Sequence, residues 1–239
     1  MKPTVTLAET RTPEGALVAL IEHDGDYFLR VDGIQLQSSF ARGAAGELGR
    51  LASVPFRAAR QPRLLLAGLG LGFTLAAARA VLPQKRGSFV VAEPLVALPT
   101  WHRDFLETLH PGQFDDPRLE IRPVPLSEAL KKPGEGFHAI LLDAEGSPRL
   151  EGVTDRRGLP NSSFLNRVHS TLKEGGLLAV RCSPDSSPIE RRLRQAGFEV
   201  AHQSVPASHK GKQKRHSNIW LAQRGAHLSR SPKHEETTP

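Results

Sequence analysis

Three glycines at alternate positions, Gly68, Gly70 and Gly72, interrupt the apolar run "RLLLAGLGLGFTLAAARAV" from Arg63 to Val81. Strand-forming residues precede them and alanine-rich, helix-forming residues follow. Glycines at such a junction permit tight dihedrals and let a ligand approach the backbone N–H groups at a helix N-terminus. Glu93, 21 residues beyond Gly72, closes the next apolar strand "SFVVAE". A carboxylate there can accept hydrogen bonds from both hydroxyls of a ribose. Together these residues point to a nucleoside-containing ligand. A dinucleotide turn, G-x-G-x-x-G, would need a third glycine where Phe73 stands. The shorter G-x-G-x-G form is more often associated with S-adenosylmethionine and its relatives, so NAD is the lesser option. Plainer readings stay open: the glycines could serve only close strand-on-helix packing, and Glu93 could pair with His102 or Arg103.

The elements around this turn alternate. Residues 16 to 37 switch between apolar and polar positions and hold two Asp-Gly pairs, Asp24-Gly25 and Asp32-Gly33, the pattern of short antiparallel strands joined by tight turns. A helical stretch, "GAAGELGRLASVPF", follows. Beyond Pro62 the chain runs strand, helix, strand, helix through "RLLLAGL", "GFTLAAARAVL", "GSFVVAEP", "WHRDFLETLH", "RLEIRPVP", "LSEALKK", "HAILLDAEG", "NSSFLNRVHSTLK", "GGLLAVRC" and "SPIERRLRQAG". It closes with two strands, "FEVAHQSV" and "HSNIWLAQR", that pair as a hairpin. The expected fold is α/β and Rossmann-like: a mainly parallel twisted sheet with helices on both faces, preceded by a small β-hairpin unit. The expected division is a hairpin unit with its lead-in helix over 1–58, a nucleoside-binding domain over 59–225 and a disordered polar tail over 226–239.

Composition narrows the class. With 38% hydrophobic and 24% charged residues the mix is that of a folded globular chain. Lone Cys182 cannot form an internal disulfide, and neither a signal-peptide core nor a membrane-length apolar run is present. A cytoplasmic protein without membrane contact is expected. The net charge of +7 is uneven: His202 to Pro239 carry seven Lys and Arg against Glu235 and Glu236, whereas the preceding 201 residues hold 25 basic and 23 acidic side chains. A solvated loop, "SHKGKQKRHS", and the polar tail account for most of the excess, so nucleic acid is not the expected partner. His102, His169 and Cys182 show no metal-ligand spacing, and no metal is expected.

At this level the chain resembles the spermidine synthase family, aminopropyltransferases that share the class I methyltransferase fold. "YFLRVDGIQLQ" is similar to that family's "L-x-L-D-G-x-x-Q" hairpin, "LLLAGLGLGFTL" to its glycine turn, and "FVVAEP" to its "V-x-x-V-E-I-D-P" strand. "DPRLEI", "HAILLDAEGSP" and "LKEGGLLAVRC" correspond to later strands, and the likeness runs from about residue 25 to 222. The resemblance implies that Gly68, Gly70, Gly72 and Glu93 bind decarboxylated S-adenosylmethionine, or S-adenosylmethionine itself, as co-substrate. It implies that Asp143 activates or orients an attacking amine, and that Gln37 and Glu47 belong to the substrate site. It also implies a homodimer.

The departures fall where that family binds its polyamine. Ala45 and Gly46 replace the Tyr and His that precede the counterpart of Glu47. Leu71 replaces an Asp that holds the aminopropyl amine, Pro125 an Asp that contacts adenine, and Glu145 with Gly146 the second Asp of the loop after Asp143. A chain of ammonium groups needs carboxylates at intervals with aromatic walls between them, and Leu71, Ala45 and Gly46 supply neither. The resulting expectation is a transferase of this type with a non-standard acceptor. Methyl transfer from the intact cofactor, nucleoside binding without catalysis, and RNA binding through "KGKQKR" are the alternatives, in falling order. Asp143 as a simple turn residue and Glu47 as an exposed helix residue are the plain readings of those two.

Overall fold

The structure is a computed structural model that describes residues 3–131, 134, 136–145, 153–155, 159–182, 187–207 and 216–225. The basic segment 210–215, the tail 226–239 and Gly146 lie outside the described residues.

Four strands, β1 (Thr4–Arg11), β2 (Leu17–His23), β3 (Asp26–Val31) and β4 (Ile34–Ser38), form an antiparallel meander in chain order. Asp24 and Asp32 adopt φ of 53° and 48°, and the glycines that follow them 80° and 78°. Two consecutive left-handed residues match the twist of a tight hairpin, which is why Asp-Gly marks both turns. The hairpin legible in the sequence is thus the centre of a larger sheet, to which the alternating "TVTLAETR" of β1 adds an edge. β3 and β4 shift register between Leu29, opposite Gln37, and Arg30, opposite Gln35. Leu36 is the extra residue of this bulge.

Helix α1 (Gly43–Ser53) leads into the second sheet, which has β5 (Arg63–Ala67), β6 (Ser88–Ala92), β7 (Leu119–Arg122), β8 (Phe137–Asp143), β9 (Leu172–Cys182), β10 (Phe198–Pro206) and β11 (His216–Arg224). Their order is β10-β11-β9-β8-β5-β6-β7. Strands β5 to β9 run parallel, and β11 inserts antiparallel between β9 and β10, so the terminal hairpin joins the parallel strands as expected. The helices are α2 (Phe73–Val81), α3 (Ala97–Asp104), α4 (Leu126–Ala129), α5 (Ser162–Thr171) and α6 (Ser187–Gln195). Helix α3 starts four residues before the "WHRDFLETLH" stretch that suggested it.

Alternate residues of each parallel strand enter opposite cores, as a period of two demands. Leu64 and Leu66 of β5 join one apolar cluster with Leu48 of α1 and Leu75 of α2, while Leu65 and Ala67 join the other with Leu165 and Val168 of α5. Covering both faces is what lets these strands be apolar throughout. Helix α1 lies directly on α2: Thr74 Oγ1 donates to the Ala45 carbonyl at 3.1 Å, and a Cβ on Gly49 would strike the Thr74 carbonyl. This contact brings α1 over the start of α2 and beside the glycine turn. No helix among the described residues is long and apolar enough to cross a membrane.

Candidate functional site

Strand β5 lies between β8 and β6, and the chain leaves β5 toward β6 but returns on the other side at β8. Ligands of open α/β sheets bind at the carboxyl ends of strands where the winding reverses in this way. A cleft occupies that place, lined by Gly68, Gly70 and Gly72 of the turn, Thr74 of α2, Gln37 of β4, Ala45 of α1 and Asp143 at the end of β8.

The turn has φ of 80°, 51° and 84° at its three glycines. Nearly every backbone group in it is tied. Gly68 N–H donates to the Ala92 carbonyl at 2.9 Å, Leu69 N–H to Glu93 Oε2 at 2.8 Å, Leu71 N–H to Gln37 Oε1 at 2.8 Å and Gly72 N–H to the Leu69 carbonyl at 3.0 Å. The Gly70 N–H has no partner among the described residues. From behind, His102 Nε2 donates to the Gly70 carbonyl at 2.8 Å and His110 Nε2 to the Leu71 carbonyl at 2.9 Å. Burial disfavours the charged form of both imidazoles: it pushes the His102 pKa down to about 4, against a weaker opposing effect of its bond to Gly70, and lowers that of His110 as well. Fully buried Gln113 packs against the same side of Gly72, and its side-chain amide has no hydrogen-bond partner among the described residues.

Glu93 is buried at the end of β6, and its two oxygens accept from Leu69 N–H and Leu95 N–H, each at 2.8 Å. Desolvation raises its pKa, and the two backbone bonds oppose the rise. Neither His102 nor Arg103 is its partner: His102 holds Gly70, and Arg103 sits over the Phe114 ring at 5.0 Å. Glu93 therefore clamps the glycine turn, with lone pairs left over on a carboxylate that can accept about four bonds. It is not among the residues lining the cleft.

Asp143 lines the cleft and is gripped by a residue that the sequence reading passed over. Arg181, opposite it on β9, donates through Nε to Oδ1 at 2.9 Å and through Nη2 to Oδ2 at 2.7 Å. Its Nη1 reaches Glu145 Oε2 at 3.0 Å, which also accepts from Ser217 Oγ at 2.9 Å. Burial works against the Arg181 cation, but the two carboxylates override it and its pKa is raised. The signal was present: an arginine inside the apolar strand "LLAVRC" needs a carboxylate beside it to be buried at all.

The remaining residues divide. Gln37 reaches the turn, its side chain so close to Gly70 that a Cβ there would lie 2.5 Å from it. Glu47 does not line the cleft; it forms an i,i+3 ion pair with Arg50 at 2.8 Å on the surface of α1. Leu71 is wholly buried in the apolar cluster. Cys182 is buried at the end of β9, and desolvation pushes its thiol up to about 12, which disfavours the thiolate.

This architecture is shared with known proteins. A spermidine synthase from Thermotoga maritima superposes with a TM-score of 0.69 at 20% identity, over 92% of this chain and 73% of the other. A probable spermidine synthase from Corynebacterium glutamicum matches at 0.64 and 16% identity, over 97% and 84%. The fold is that of the spermidine synthases. A spermidine synthase in complex with the transition-state analogue AdoDATO matches at 0.67 and 20% identity, over 92% and 72%. A precorrin-6y C5,15-methyltransferase from Geobacter metallireducens matches less completely, at 0.52 and 14% identity over 74% and 87%, which reflects the methyltransferase-type core. No protein-family model matches the sequence, nor does any curated protein sequence.

Proposed function

We propose that the protein is a group transferase of the spermidine synthase type, which binds decarboxylated S-adenosylmethionine or a related sulfonium nucleoside and delivers its group to an acceptor other than a polyamine. The observation that carries this reading is the cleft at the reversal point of the sheet, with the glycine turn on one wall and Asp143 on the other. Glu93, fixing the turn from the end of β6, would share its remaining lone pairs with the ribose hydroxyls. Transfer would be an in-line displacement at the carbon beside the sulfonium. The thioether departs neutral and needs no proton, so the protein has only to align a nucleophile and accept its proton or pass it to water.

Arg181 shapes the acceptor side. A carboxylate held at both oxygens by a guanidinium keeps lone pairs for one further donor, but its charge is compensated, and its pull on an ammonium is correspondingly weaker. Buried Leu71 supplies no charge either. An acceptor with a single neutral amine or another neutral nucleophile suits this cleft better than a chain of ammonium groups. The same ion pair favours a second reading, in which Asp143 is structural and the chain transfers a methyl group from intact S-adenosylmethionine or binds the nucleoside without transfer.

A thermal-shift titration with S-adenosylmethionine, its decarboxylated form, methylthioadenosine and NAD separates these. A ligand at about 100 times its dissociation constant adds roughly 2.7 kcal/mol, a shift of about 5–10 °C. Preference for the decarboxylated form supports the first reading, and preference for the intact form supports methyl transfer. Failure of all the nucleosides to shift the melt refutes both.

A further inference from the structure

Between Glu47 and Glu93 the chain has no acidic residue, yet it carries seven Lys and Arg. That segment, 48–92, holds as much excess positive charge as the whole protein. Folding then sorts these cations. Arg50 pairs with Glu47, Arg79 with Asp116, and Arg63 lies over the Phe137 ring at 4.7 Å. Arg57, Arg60, Lys85 and Arg86 remain exposed and form no ion pair among the described residues.

The four stand on two loops that hydrogen bonds join at the amino ends of β5 and β6. Gln84 Nε2 donates to the Arg57 carbonyl at 2.6 Å, and Ser88 N–H donates to the Pro62 carbonyl at 2.8 Å. Arg57 and Gln84 line a shared open groove with Val81 and Pro83. Asp116, on the neighbouring loop, is already engaged by Arg79 and Arg118, and its pKa is held well below the usual carboxylate range. Like charges on two joined loops repel one another, and a polyanion relieves that repulsion.

We propose that this face, at the end of the sheet opposite the nucleoside cleft, docks double-stranded nucleic acid through its phosphates. Three of the four cations are arginines, whose planar forks suit phosphate oxygens. Phe56, the aromatic residue on the first of these loops, is half-buried and set edge-on to His138 at 5.5 Å, so among the described residues these two loops hold no exposed aromatic ring for unpaired bases to stack on. Contact by charge alone fits a duplex better than a single strand. The surface is separate from the cleft, and the inference stands or falls independently of the proposed transferase activity.

Fluorescence anisotropy of the full chain with a labelled duplex of about 20 base pairs, in about 50 mM salt, tests it. Four phosphate contacts predict a slope of about −3.6 in log K against log salt. Joint reversal of Arg57, Arg60, Lys85 and Arg86 to Glu is expected to weaken binding by at least about tenfold and flatten that slope, with melting temperature unchanged. If the reversed protein fails to fold, Arg57→Gln with Arg60→Gln should reduce the slope by about 2. Absence of duplex binding, tighter binding of a single strand of the same length, or displacement by a poly-glutamate peptide as effectively as by unlabelled duplex overturns the proposal. So does loss of binding when Lys210, Lys212, Lys214 and Arg215 are replaced by Ala while the patch reversal has no effect.

Discussion

Arg181 and Asp143 form a bidentate ion pair in the wall of the cleft, with N···O distances of 2.9 and 2.7 Å, both side chains about nine-tenths buried. Their strands are adjacent in the sheet and the two residues are in register, so the pair is fixed by backbone hydrogen bonding as well as by charge. Glu145 and Ser217 extend it to β11. The cleft thus presents a compensated carboxylate where a lone one would attract cations.

Removing the guanidinium takes the counter-cation from buried Asp143 and from Glu145, which keeps its bond from Ser217 Oγ. Arg181→Gln is expected to cost about 3–5 kcal/mol, a fall in melting temperature on the order of 10 °C. Asp143→Asn combined with Arg181→Gln removes both charges and should recover a large part of that loss. Urea unfolding of the two singles and the double gives the coupling energy, and a double variant no more stable than Arg181→Gln would show that the pair is not a unit.

The histidines behind the turn make stability depend on pH. The His102 pKa lies near 4 in the folded protein against about 6.5 when unfolded, so the folded state prefers the neutral ring. Its contribution is fully present above pH 6.5 and is lost as pH falls toward 4, amounting to about 3 kcal/mol. His110 is shifted in the same direction and adds to the slope. His102→Gln keeps a donor for the Gly70 carbonyl but cannot titrate in this window. Its unfolding free energy should therefore change less than the native protein's between pH 7 and 4.5; equal slopes would remove His102 from the account.

What the sequence revealed and what it concealed follow from the range of the interactions involved. The Asp-Gly turns, the apolar strands and the glycine turn are set by residues close in sequence, and all stand where local chemistry puts them. Strand β1 went unseen because its residues are mostly exposed and only Val5, Leu7 and Ala8 among them are apolar. The clamp on the turn was half legible: Glu93 was placed by spacing, but His102, His110 and Gln113 reach Gly70, Leu71 and Gly72 from 30 or more residues away, and no periodicity announces that. Arg181 was concealed for a different reason. Its meaning depends on β9 lying beside β8, which only the sheet order supplies.

The surroundings of position 71 exclude a charged side chain. Leu71 is fully buried among apolar side chains and its N–H is held by Gln37. Leu71→Asp would place a charge in that cluster without a partner, which proteins avoid by keeping the acid protonated or by unfolding. The expected outcome is a melting temperature lowered by at least about 10 °C and no gain in polyamine binding by calorimetry. A stable variant that binds a polyamine would mean that residue 71 can turn to face the cleft.

Two glycines at the site should respond to alanine with opposite sign. Gly72 has φ 84°, and a Cβ there would lie 2.8 Å from Gln113 Nε2 and His110 Cδ2 and 2.9 Å from His102 Cε1. Gly72→Ala therefore combines an unfavourable left-handed backbone with a clash against the residues that hold the turn, and should destabilise by more than about 1 kcal/mol. Gly46, inside α1, has an ordinary helical backbone and open space within 4 Å of its Cβ position. Gly46→Ala should stabilise by about 0.4–1 kcal/mol, because it restricts the unfolded chain without straining the folded one. Parallel urea titrations of the two variants read both signs. Under the proposed function Gly72→Ala should also weaken nucleoside binding while Gly46→Ala leaves it intact, since only the first displaces the turn that Glu93 and the histidines fix in place.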